Sequence, residues 1–172
     1  MEINYEIERK FLVSFPDTDR LNVRKKISII QTYLNDGENG EQRRVRKMDV
    51  NGTVSYTYTE KVFVSAVTRE ENERSIDCDE YNLLIKQAKV DLKPVIKTRF
   101  VFEYKNQFFE LDTYPFSDSL AVMELELENE EQEIFLPDYI NVIKEITGDK
   151  KYSNISLALA EKFPDDETGD LV

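Results

Sequence analysis

The stretch Tyr5-Glu6-Ile7-Glu8-Arg9-Lys10-Phe11-Leu12-Val13 alternates charge with apolar bulk. Side chains of an extended strand point to opposite faces in turn, so Glu6, Glu8 and Lys10 share one face while Tyr5, Ile7, Phe11 and Val13 share the other. The pattern recurs along the chain. Arg44 and Arg46 oppose Val45, while Thr57, Thr59 and Lys61 oppose Tyr56, Tyr58 and Val62. Lys97 and Arg99 oppose Ile96, Phe100 and Phe102, and Glu110 and Asp112 oppose Phe109 and Leu111. Glu124 and Glu126 oppose Met123, Leu125 and Leu127, and Glu71 and Glu73 form a further co-facing pair. Asp36-Gly37, Asn39-Gly40, Asn51-Gly52 and Lys105-Asn106-Gln107 are turn signals between these runs. They predict strands at 3–14, 27–35, 42–50, 53–62, 70–77, 95–104, 108–114 and 120–128. Helices are expected from a cap at Asp79 through Val90, from Asp138 to Ile146, and from Asn154 to Phe163.

About eight antiparallel strands in one small domain give a barrel or a sandwich. For any single strand, a solvated charged face is the plainer reading. Across the set the charges come as like-sign pairs at i and i+2, which selection for solubility alone would intersperse. The apolar faces, rich in Phe, Tyr, Leu and Ile, are those expected beneath covering helices, and if the sheet closes into a barrel the ionic faces point inward. Such an interior is just wide enough for side chains or one small ligand. Burying these charges dry would cost several kcal/mol per ion, so the bore must be wet or filled by ions of complementary sign. Lys10, Arg44, Arg46, Lys61, Lys97 and Arg99 call for a polyanion. Glu6, Glu8, Glu124 and Glu126, which meet if the first and last strands pair, call for a divalent cation. A metal–polyphosphate complex satisfies both sets.

Composition narrows the chemistry. The chain of 172 residues is 40% hydrophobic, enough for one domain with its own core, expected over residues 1–163 and followed by a flexible acidic tail, 164–172. A net charge of −12 argues against nucleic-acid or anionic-membrane partners. No apolar run approaches a membrane span and the polar N-terminus predicts no signal peptide, so a cytoplasmic location is expected. The chain has no histidine and a single cysteine, Cys78, which is expected to be a packed, inert thiol. Serine–histidine and cysteine–histidine catalysis are thereby excluded, as are histidine-containing metal sites. A bound metal would be a hard cation held by carboxylates.

The ordered motifs resemble the CYTH superfamily, the triphosphate tunnel metalloenzymes. Glu6-Ile7-Glu8-Arg9-Lys10 resembles the family's ExExK opening. Gln31-Thr32-Tyr33-Leu34, Arg44-Val45-Arg46, Thr59-Glu60-Lys61, Glu71-Asn72-Glu73, Lys97-Thr98-Arg99, Glu110-Leu111-Asp112, Glu124-Leu125-Glu126 and Asp149-Lys150-Lys151-Tyr152-Ser153-Asn154 follow in family order. The resemblance spans residues 3–160 and implies an α+β, mainly β fold, a closed eight-stranded antiparallel β-barrel (tunnel) with flanking helices, that uses magnesium or manganese. Family activities include inorganic, thiamine and RNA triphosphatase and one class of adenylate cyclase. It implies metal ligation by Glu6, Glu8 and Glu126, with Glu124 beside them. A phosphate clamp of Arg44, Arg46, Lys97 and Arg99 is expected, with Lys10 and Lys61 near the bond being broken and Glu8 central to catalysis. Glu71, Glu73, Glu110 and Asp112 would hold a second metal or orient the cations, and Lys150 would close one mouth. The expected activity is metal-dependent hydrolysis of inorganic triphosphate. Cyclisation of ATP, hydrolysis of thiamine or nucleoside triphosphates, and a non-catalytic polyphosphate-binding module are the alternatives.

Overall fold

β1 (Asn4–Ser14) is the strand on which the sheet closes. Its residues Ile7 to Ser14 pair antiparallel with β8 (Leu120–Leu127) along one edge. The other edge is shared. Asn4 to Ile7 pair with β5 (Thr68–Ile76), and Phe11 to Val13 pair with β9 (Val142–Glu145). The remaining strands are β2 (Val23–Tyr33), β3 (Gln42–Val50), β4 (Thr53–Phe63), β6 (Val95–Tyr104) and β7 (Gln107–Thr113), in the order β5-β4-β3-β2-β6-β7-β8-β1. The architecture is a closed eight-stranded antiparallel barrel with one added strand and two short helices, α1 (Cys78–Leu84) and α2 (Asn154–Ala160). The structure, a computed structural model, describes residues 4–164, so the tail expected to be flexible lies outside the described residues apart from Pro164.

Alternation places the ionic faces inside, as the strand pattern predicts. The apolar faces turn outward and are covered. Phe11, Val13, Phe102, Phe109, Leu111, Met123 and Leu125 form one buried layer, closed over by Leu21 and by Ile134, Tyr139 and Ile140 of the segment before β9. On the opposite wall, Val45, Tyr58 and Ile76 pack beneath Tyr81, Leu84 and Ile85 of α1 and the turn after it. A third layer stoppers the bore itself. Leu12, Tyr33, Val95, Leu120 and Val122 meet Ile146, Tyr152, Leu157 of α2 and Phe163. At about 25 cal/mol per Å² of apolar surface removed from water, these layers carry most of the stabilisation. Among the described residues no helix is long and apolar enough to cross a membrane.

Five expectations change. Residues 138–146 carry apolar side chains at helical spacing, but Val142–Glu145 form β9. β5 leaves β1 after Ile7, exposing a row of unpaired backbone groups, and a short run rich in β-branched residues completes it. The N-cap of α1 is Asp77, whose carboxylate accepts the Glu80 N–H at 2.8 Å, so Asp79 sits in the first turn. That helix ends at Leu84 and tightens into a 3₁₀ turn (Ile85–Gln87), because Leu34 bridges Ala88 and the Lys89 N–H donates to Tyr33 O, tying the chain to the end of β2. α2 stops at Ala160, with Glu161 in the left-handed region (φ 52°) turning Phe163 back into the core. Cys78 is exposed, its Sγ accepting from the Tyr56 hydroxyl at 3.6 Å.

Candidate active site

The inward faces surround a cavity of about 780 Å³ lined by seven cationic and eight acidic side chains. Strand register decides which of them meet. β1 against β8 sets Glu8 opposite Glu126 and Lys10 opposite Glu124, while β7 against β8 sets Glu110 opposite Glu124. Like charges directly opposite repel, so each cluster is held together by cations from neighbouring strands.

Three ion clusters result. Lys61 Nζ lies 2.6 Å from Glu6 and 3.0 Å from Glu71, and Arg44 Nη2 is 4.0 Å from Glu71. Glu8 Oε1 receives Arg69 at 2.7 Å and Lys10 at 3.9 Å, and Lys10 also reaches Glu124 at 3.3 Å. Asp112 accepts Lys97 at 2.6 Å on one oxygen and Arg99 on both, at 2.7 and 2.9 Å, while Arg99 also pairs with Glu110. Arg46 is held differently: its Nε donates to Gln31 Oε1 at 2.6 Å, and the same amide donates to the Tyr33 hydroxyl at 2.7 Å.

Burial and crowding shift the titrations. Burial, reinforced by Glu124, pushes the Glu8 carboxyl up to about 7 despite its cationic partners. Burial and then the charges of Glu6, Glu110 and Glu71 raise Glu126. For Glu124, burial acts upward but attraction to Lys10, Arg99 and Lys97 wins, holding it well below the usual carboxylate range. Burial lowers Lys97 to about 8 even though Asp112 opposes the shift. It likewise lowers Arg46 to about 10, with Arg44 and Arg99 adding repulsion.

Of the expected site residues, Glu6, Glu8, Lys10, Arg44, Arg46, Lys61, Glu71, Glu73, Arg99, Glu110, Glu124, Glu126 and Lys150 line this one cavity, Lys150 from an exposed position. Lys97 and Asp112 do not. Both side chains are wholly buried behind Arg99, an ion pair in the wall and not a surface of the bore. Arg69, Tyr33 and Asn154 also line the cavity, although the charge pattern of the sequence does not mark them as site residues. Arg69 shares the face of Glu71 and Glu73, but a strand read as starting at 70 leaves it out. The lining role of Tyr33 and Asn154 depends on how the barrel end is stoppered, which no local pattern carries.

The CYTH domain profile matches residues 4–153. The chain belongs to the CYTH family. The crystal structure of the inorganic triphosphatase NE1496 is 32% identical to it, over 89% of this chain and 97% of that one, with a TM-score of 0.55. PH1819 from Pyrococcus horikoshii OT3 is 20% identical over 73% of this chain and 80% of that one, also at a TM-score of 0.55, and shares the fold. No curated protein matches the chain.

The CYTH domain's carboxylates are all oxygen donors of the hard kind that magnesium and manganese prefer. Burial and the neighbouring carboxylates Glu6, Glu110 and Glu71 disfavour the charged form of Glu126, which a cation would relieve. As they stand, the described acidic side chains do not converge on a single metal position, because Glu6, Glu8 and Glu124 face lysine and arginine instead. The donor set fits a divalent cation once Glu6 and Glu124 give up their lysine partners and Glu8 offers the oxygen that Arg69 and Lys10 leave free.

Proposed function

We propose that this CYTH domain hydrolyses inorganic triphosphate to pyrophosphate and phosphate in the presence of a divalent cation. One observation carries the reading. Five of the six cations expected to bind a polyanion, Lys10, Arg44, Arg46, Lys61 and Arg99, line one cavity together with the four carboxylates expected to hold a metal. Arg44 Nε is buried there without a hydrogen-bond partner, a guanidinium donor that a phosphate oxygen would satisfy. The 32% identity to the inorganic triphosphatase NE1496 supports the same activity.

Glu6, Glu8, Glu124 and Glu126 would hold the cation. When bound, it supplies charge neutralisation at phosphate oxygens and a more acidic water. Arg44 and Arg46 grip the chain of phosphates as planar forks, and Arg99 does so from β6, two strands along the wall, its guanidinium set by Asp112. Lys10 and Lys61 place point charges where negative charge builds as the phosphoanhydride bond breaks. Each of these cations already has a carboxylate or amide partner, so the wall stays ordered before the substrate enters.

A phosphate-release panel tests this with triphosphate, ATP and thiamine triphosphate, each with magnesium, manganese or EDTA. Release of phosphate and pyrophosphate from inorganic triphosphate, abolished by EDTA, is the expected result. Cyclic AMP from ATP without release of free phosphate would make the chain a cyclase. Tight binding without turnover of any of the three would make it a binding module.

A further inference from the structure

Arg69 stands apart from the other cations of the cavity. It is the second residue of β5, where the strand register places it beside Glu6 of β1 on one side and Phe63 of β4 on the other. Its guanidinium rests over the Phe63 ring, 5.1 Å from the centroid, and donates to Glu8 Oε1 at 2.7 Å. The Arg69 and Glu8 side chains are only 13% and 10% exposed, and the Glu8 backbone N–H is itself bonded to Val67 O at 3.1 Å. Both cationic contacts of Glu8, from Arg69 and from Lys10, fall on the same oxygen, Oε1.

We infer that Arg69 is a positioning residue: held between Phe63 and Glu8, it occupies Oε1 and presents Oε2 of Glu8 as the oxygen for a divalent cation. This rests on the reading of Glu8 as a metal ligand. Ligating carboxylates are generally oriented by a second hydrogen-bond partner, and loss of that partner weakens metal affinity. The opposite effect is also physically available. Arg69 is a cation next to the metal position, and its removal could relieve repulsion and tighten metal binding. The fixed geometry decides for positioning: a guanidinium gripped by a ring on one side and a carboxylate on the other has lost its freedom already, so it orders Glu8 at little further entropic cost.

Direct Mn²⁺ binding, followed by electron paramagnetic resonance with no substrate present, tests the inference. Arg69→Met is expected to weaken Mn²⁺ binding by roughly 10–100-fold, and Arg69→Lys, which keeps a charge and a donor, to recover part of the loss. Metal-free triphosphate binding should weaken less than Mn²⁺ binding in Arg69→Met. Unchanged or tighter Mn²⁺ binding in Arg69→Met overturns the inference, as does an equal loss of metal-free triphosphate binding, which would make Arg69 a phosphate contact. Should Arg69→Met not fold, Arg69→Lys decides: weaker Mn²⁺ binding than wild type supports the inference and wild-type affinity overturns it. Glu8→Gln separates this from the reading beneath it. Loss of Mn²⁺ by Glu8→Gln but not by Arg69→Met sinks only the role of Arg69. Wild-type Mn²⁺ binding by Glu8→Gln sinks the metal-site reading and this inference together.

Discussion

Asp112 and Lys97 hold opposite charges at zero side-chain exposure, 2.6 Å apart, with Arg99 completing the cluster. Removing one member of such a cluster is more damaging than never having built it, because the others stay buried and uncompensated. Asp112→Asn is expected to lower unfolding free energy by about 3–5 kcal/mol, measurable by urea denaturation. The pH dependence has a definite sign. Attraction to Arg99 and Lys97 overcomes burial and lowers Asp112 below 3.8, so its contribution is complete above that pH and is lost as pH falls through the folded value. Lys97, lowered from 10.5 to about 8, acts in the alkaline window: the unfolded chain still holds a proton that the folded chain has released. Between about pH 8 and 10.5 this group therefore makes stability rise with pH, and Lys97→Met should abolish that component of a denaturation series. At the cavity surface, Arg46 offers a guanidinium fixed by Gln31. Arg46→Ala is expected to reduce triphosphate turnover by roughly 10²–10³-fold, as for loss of one donor to developing charge; near-normal rates would remove Arg46 from the clamp.

Among the elements, β9 and α1 show where local signals compete with neighbours. Tyr139, Ile140, Val142, Ile143 and Ile146 fit a helical stripe, yet the bare edge of β1 above Ile7 recruits the middle of that run as a strand. The flanking residues then divide between two packing layers, Ile140 to the outer wall and Ile146 to the stopper of the bore. For α1 the cap expected at Asp79 lies two residues earlier, at Asp77, where the hydrogen bond from the Glu80 N–H places it. Asp77→Ala is expected to destabilise the protein by about 1 kcal/mol, against a few tenths at most for Asp79→Ala. Equal costs in thermal denaturation would assign the cap differently. The turn after β9 is similarly exacting: Gly148 has φ +72°, and a Cβ there would meet Ala66 Cβ at 3.1 Å. Backbone conformation and close approach both call for glycine where the β4–β5 loop meets the segment leading to α2.

For the whole molecule, the consequence is a barrel whose wall is charged and most of whose charges are paired with one another before any ligand arrives. Ligand binding to such a folded bore and not to the unfolded chain must stabilise the fold, by about 2.7 kcal/mol at a hundred times Kd. Triphosphate with magnesium is thus expected to raise Tm in a concentration-dependent way, read by scanning calorimetry, and to raise it less after Glu8→Gln. No shift at saturating ligand would remove the cavity as the binding site. The alternation of Glu6, Glu8, Lys10, Arg44, Arg46, Lys61, Arg99, Glu124 and Glu126 with apolar neighbours marks the strands and their ionic faces, while the ordered motifs, by their resemblance to the CYTH superfamily, point to the closed barrel. Period two is a property of each strand alone, so the charged and apolar faces of each strand can be read without knowing its neighbours. Which charges touch was not written there. The pairing of Glu8 with Arg69, the retreat of Lys97 and Asp112 into the wall, and the conversion of a helical stripe into β9 all follow from register and closure. Those are settled by contacts between residues far apart in the chain, where burial and Coulomb attraction outweigh any local preference.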